Sequence, residues 1–171
     1  ADITGPITAA GEIYAATWGA ISAPILGTGA DQSVEVFART DVSANMTSAG
    51  NLIVTAGGDV SGIMQAGSGT SHNVSVSALG VGVGGATANG AVSGTVEAGG
   101  NATVYAKGDV TGTIEGTAAN ASVITRGGFQ GSVTAGLDAI LATGNGITSA
   151  TVDAGQDANV SAHAAVSGTN I

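Results

Sequence analysis

Twelve carboxylates, two imidazoles and three permanent cations carry most of the chemistry available to this 171-residue chain. Paired carboxylates on neighbouring strands do the acid–base work of glycoside hydrolases and polysaccharide lyases. Asp138 with Asp157, and Glu97 with Glu115, are spaced to form such pairs. Carboxylates on successive turns can instead cage Ca²⁺, and Gly58-Asp59, Gly136-Leu137-Asp138 and Gly155-Gln156-Asp157 place them on turns. His72 and His163 have no nucleophile pattern beside them and read as surface residues. The absence of cysteine removes disulfides, thiolate metal ligands and thiol catalysis together.

A repeat positions these groups. An apolar residue opens each unit, at Ile3, Ile21, Val42, Val60, Val92, Val110, Phe129, Ile147 and Val166, with steps of 18 to 21 residues except one of 32. An acidic or amide residue precedes each strand centre in the same phase, at Glu12, Asp31, Asn51, Asn73, Asn101, Asn120, Asp138 and Asp157. Most of the excess in the one long step is the segment Val81 to Gly90, which reads as a surface loop inserted into one coil.

Within a unit the period is two. From Ala102 the positions Ala102, Val104, Ala106, Gly108, Val110, Gly112 and Ile114 are apolar or small, and those between them are polar or large. Such alternation means strands with one buried face. One unit cannot bury that face alone, so it must stack on its neighbours. The expected fold is all-β, a parallel β-solenoid of about 19 residues per coil and eight to nine coils over residues 1–171. The handedness of parallel crossovers favours a right-handed β-helix.

The composition agrees. Gly and Ala make up 62 of the 171 residues, the aromatics only 3%, and mean hydropathy is +0.37. A narrow core of stacked columns takes Val, Ile, Ala and Gly and is overpacked by rings, so Phe129, the one aromatic in a core column, marks a local widening.

Outward columns follow from the same phase. Three positions before the leading apolar residue stand Trp18, Arg39, Gly57, Lys107, Arg126, Gly144 and His163. All three cations therefore share one column. Arg39/Asp41 and Lys107/Asp109 read as exposed same-face pairs, each worth under about 1 kcal/mol. The sharper reading makes Arg39, Lys107, Arg126 and His163 an assembly column that faces an acidic column of a neighbouring solenoid. Glu97, Glu115 and Asp153 form such a column. The turn residues Asp31, Asn51, Asn73, Asn101, Asn120, Asp138 and Asp157 read as a hydrogen-bonded ladder, because the GGxGxD spacing of calcium-binding repeats is absent and Asp alternates with neutral Asn. No cofactor is expected, with calcium the alternative. Both carboxylate pairs fall on ordinary repeat positions, so no enzyme is expected.

The units Asn101 to Gly116 (NATVYAKGDVTGTIEG) and Ala135 to Ser149 (AGLDAILATGNGITS) resemble the repeats of filamentous-haemagglutinin-like secreted bacterial exoproteins, whose strands open on AG-x-[DN]-A. That resemblance implies a secreted surface protein, extracellular or on the bacterial cell surface, acting as an adhesin or fibre. GDVTGTIEG is also similar to bactofilins, cytoplasmic filament-forming solenoids that are richer in charge than the 9% found here. The partners expected are further repeats or copies of the same chain, end to end or laterally. Cell-surface glycans reached through the 81–90 loop are the alternative. The chain begins and stops within a unit, so the expectation is a piece of a longer solenoid or one whose ends dock on other copies. A net charge of −9 argues against nucleic acid. No run of 18 apolar residues is present, so no membrane insertion is expected.

Overall fold

The computed structural model describes residues 1–81 and 89–171. Its strands form two parallel sheets that share one core. The first, which we call the flat sheet, stacks β2 (Ile13–Thr17), β4 (Val34–Ala38), β7 (Leu52–Ala56), β9 (Val74–Ala78), β11 (Ala102–Ala106), β13 (Ala121–Thr125), β15 (Ala139–Thr143) and β17 (Ala158–Ala162). The second, the bent sheet, stacks β1 (Ile7–Ala9), β3 (Ile25–Gly27), β6 (Met46–Ser48), β8 (Val60–Gln65), β10 (Val92–Ala98), β12 (Val110–Gly116), β14 (Phe129–Ala135), β16 (Ile147–Ala154) and β18 (Val166–Ser167). A short β5 (Val42–Ser43) also pairs with β8. The chain alternates between the sheets, so every circuit adds one strand to each. The fold is a parallel β-solenoid of about eight turns, and we number coils 1 to 8 by their flat-sheet strand.

The leading column holds throughout. Ile3, Ile21, Val42, Val60, Val92, Val110, Phe129, Ile147 and Val166 are paired in that order along the stack. A second bent-sheet column runs Ile7, Ile25, Met46, Met64, Val96, Ile114, Val133 and Val152. Opposite them the flat sheet turns inward Val36, Val54, Val76, Val104, Val123 and Leu141, all buried. The flat-sheet strands from β4 to β15 alternate because their outer residues face water and their inner residues face the opposite sheet. The Phe129 ring, 2% exposed, lies in the half of the stack where the first flat-sheet column falls from Ile13, Val34, Leu52 and Val74 to Ala102, Ala121 and Ala139. Small residues on one sheet thus leave volume for a large one on the other.

The bend in the second sheet is made by glycine. Gly62, Gly94, Gly112 and Gly131 occupy one column with φ between +114° and +136°. A Cβ on any of the last three would collide with the carbonyl of the glycine one coil below. Only glycine permits both that φ and that approach. The column ends where Gly131 pairs with Ala150 across a register shift, and Ser149 there takes a positive φ of 51°.

Candidate functional site

The outward faces of the coils carry the candidate groups, and each face inherits its geometry from the strand register. Three outward columns cross the flat sheet. The first includes Tyr14, Glu35, Ile53, Ser75 and Ile140; the second includes Ala16, Phe37, Thr55, Tyr105 and Ile124. The third lies one residue past the strand ends, where Arg39, Gly57, Leu79, Lys107, Arg126, Gly144 and His163 each bond through N–H to the coil below. Leu79 fills this column in coil 4. Counting back from Val92 misses it, because the inserted segment lies between Leu79 and that strand.

The three cations share the column but not a role. The Arg39 guanidinium lies over the Trp18 ring, 4.8 Å from its centroid. Lys107 Nζ donates to the Gly80 carbonyl at 3.1 Å, which ties it to the base of the insertion. Arg126 is exposed and lines an open hollow with Lys107, Asp109 and Asn145. His163 is exposed in coil 8. The expected pairs Arg39/Asp41 and Lys107/Asp109 are not formed, and backbone geometry explains why. Asp41 Oδ1 accepts from Asp59 N–H at 2.8 Å, and Asp109 Oδ1 accepts from Gly128 N–H at 2.7 Å. Asp2 and Asp59 accept in the same way from Ala20 and Ala91 N–H. A turn amide held a fixed distance away outcompetes a solvated cation at the end of a flexible stem.

The opposite corner carries a second ladder. Asn51 Oδ1 accepts from Asn73 N–H, Asn73 from Asn101, Asn101 from Asn120 and Asn120 from Asp138, at 2.8 to 3.1 Å, and Asp138 from Asp157 at 3.4 Å. Asp31 stands outside this ladder. The register sets Val34 beside Leu52, so Ser33 and not Asp31 is the neighbour of Asn51. Asp31 sits two residues earlier at φ +59° in the six-residue turn 28–33, and its carboxylate meets His72 Nε2 at 2.8 Å. His72 belongs to the long turn 66–73, two coils above. Between them coil 3 turns in only three residues, 49–51, so the two long turns overhang it and touch. Gly69 N–H donates to His72 Nδ1 at 3.3 Å, which leaves Nε2–H to donate to Asp31. Among the described residues this is the one contact within 4.0 Å between a carboxylate and a basic side chain.

The carboxylate pairs that suggested hydrolysis are close, and three of their four members accept a hydrogen bond. Asp138 and Asp157 are successive rungs of the ladder. Glu97 and Glu115 are register neighbours beside a groove of about 270 Å³. Gln65 Nε2 donates to Glu97 at 3.0 Å and Thr117 Oγ1 to Glu115 at 3.2 Å. Thr134 separates Glu115 from Asp153 in that column. Among the described residues no three His, Asp or Glu side chains converge as a metal site.

The chain matches no family model, no curated protein and no solved structure. Its own geometry therefore carries the functional reading.

Of the expected 81–90 loop, residues 82–88 lie outside the described residues. Its flanks are described. Gly80 and Gly90 take positive φ of 61° and 65° and pack against each other. Val81 N–H donates to Gly57 O, and Gly108 N–H donates to Gly90 O at 3.0 Å. The segment thus leaves and re-enters the stack at one point, and β9 and β10 keep their register on both sides. Among the described residues no helix is long and apolar enough to cross a membrane.

Proposed function

We propose that the chain is a structural and adhesive segment of a secreted bacterial surface fibre, without catalytic function. The observation that carries this reading is the consumption of turn chemistry by stacking. Asp and Asn side chains at both corners each turn Oδ1 to an amide of the next coil. A catalytic carboxylate is oriented toward a substrate, whereas these are oriented along the stack. A strut needs its coils joined to each other, and each joint here combines two strand ladders with corner bonds. The likeness of the units around Asn101 and Ala135 to exoprotein repeats supplies the extracellular setting.

Labelling of intact cells that make the protein, with an antibody raised against it, tests the reading. Surface decoration along extended fibres supports it. Labelling only after permeabilisation, with salt-dependent filaments of the purified chain, would favour a bactofilin-like cytoplasmic polymer. Glycan-array binding that is lost when residues 81–90 are deleted would favour a carbohydrate-binding module.

A further inference from the structure

The outer face of the flat sheet keeps an unusual set of side chains in water. Trp18 is 74% exposed, Tyr14 71%, and Phe37, Ile53, Ile124 and Ile140 between 41% and 48%. All of them project from this one sheet in the three columns described above. We propose that two copies of the chain pair through this face, in parallel and in register, about a two-fold axis running along the stacking direction.

That axis has a definite consequence for the columns. It sets each coil opposite the same coil of the second copy, lays the middle column on itself, and turns the first column onto the third. In coil 2, Glu35 of one copy then meets Arg39 of the other, twice per dimer. In coil 1, Tyr14 meets Trp18. Bulk also meets space: Ile53 faces Gly57, Ile140 faces Gly144, and in coil 4 the order inverts, with Ser75 facing Leu79. The middle column brings Phe37 onto Phe37, Tyr105 onto Tyr105 and Ile124 onto Ile124, and Lys107 and Arg126 fall opposite the hydroxyls of Thr103 and Ser122. A two-fold axis along the strands would reverse the coil order, so that Glu35 faces Ile140 and Arg39 faces Gly144, and both charges lose their partner. The sequence therefore suits one orientation and penalises the other.

The face measures roughly 34 by 13 Å from strand spacing and rise per residue. Two such faces come to about 900 Å², below the roughly 1,200 Å² of total buried area at the lower end of stable interfaces. The pair is accordingly concentration-dependent, and it would tighten in a longer stack of such coils. It does not depend on where the protein acts, so it stands or falls apart from the fibre reading.

Cross-linking tests it directly, because the chain has no cysteine. Face-packed sheets sit about 10 Å apart, too far for a disulfide, so a short bis-maleimide is the probe. Phe37→Cys and Ile124→Cys, each alone, are expected to give covalent dimers at high protein concentration, and Thr111→Cys on the exposed side of the bent sheet is not. In sedimentation equilibrium, Glu35→Arg should raise the dissociation constant about tenfold, since the contact occurs twice, and Glu35→Arg with Arg39→Glu should restore it. Circular dichroism confirms that these exposed-site variants fold. Cross-linking of Phe37→Cys and Ile124→Cys no better than Thr111→Cys overturns the proposal. So does cross-linking that succeeds only in a mixture of the Phe37→Cys and Ile124→Cys proteins, which would mark the opposite orientation.

Discussion

Replacing Gly112 by alanine adds one methyl group and should unsettle the centre of the stack. Gly112 holds φ at +131° in the bend of β12, where L side chains are rarely found. Forcing alanine into such a backbone costs about 1–3 kcal/mol. The added Cβ would also lie 2.8 Å from the Gly94 carbonyl carbon and closer still to its oxygen, inside the 3.0 Å that real Cβ atoms essentially never breach. Relief requires β10 and β12 to part locally, which weakens one or two ladder bonds worth about 1 kcal/mol each. Together these terms come to about 2–5 kcal/mol, a large share of the roughly 5–15 kcal/mol that holds a domain. Because the coils around Gly112 pair only with their neighbours, the loss also uncouples the halves on either side. Urea unfolding followed by far-ultraviolet circular dichroism should show a lower midpoint and a broader transition. Gly11→Ala is the control, since a Cβ there meets nothing within 4 Å and Gly11 has no positive φ; it should be neutral or slightly stabilising. Equal midpoints for Gly112→Ala and Gly11→Ala would refute the claim that the bend depends on glycine.

Three further outcomes follow from the same geometry. Asn101→Ala removes the acceptor for Asn120 N–H and the Nδ2 donor to Asn73 Oδ1, and should cost about 1–2 kcal/mol in the same urea assay. Chelation with EDTA should leave the thermal midpoint unchanged, because Asp41, Asp59, Asp109 and Asp138 each turn an oxygen to a backbone amide; a fall of several degrees would reinstate calcium. Phe129→Ala should cost about 3–5 kcal/mol and Phe129→Leu distinctly less, as read by calorimetry, since Ala121 and Ala139 cannot grow to fill the space.

The core was legible because its period is strict. Nine leading residues fall in register although their spacing varies from 18 to 32, since seven open strands and Ile3 and Ile21 bridge in the same phase. The amide ladder from Asn51 upward was legible for the same reason. Asp31 was misplaced because the six-residue turn 28–33 keeps the composition of a ladder turn but not its phase. Leu79 was missed because counting ran through the insertion. The His72–Asp31 contact left no signal at all: it joins residues 41 apart through the overhang of two long turns, and overhang is not periodic. The tethering of Asp41 and Asp109 to amides was equally hidden, since the sequence shows which charges share a face but not which backbone donors point at them.

That same overhang divides the molecule by its tolerance of change in length. From β11 upward, successive coils carry Ala102, Ala121 and Ala139 at matching positions and turn in nearly constant numbers of residues. A whole unit could be lost or duplicated there by unequal crossing-over, and the strands on either side would meet as they already meet. Below β10 the order of coils is fixed, because removing coil 3 would press the turns bearing Asp31 and His72 into the same space. Genetic variation in the number of repeats is therefore expected to accumulate in the later coils, while the earlier ones keep their count.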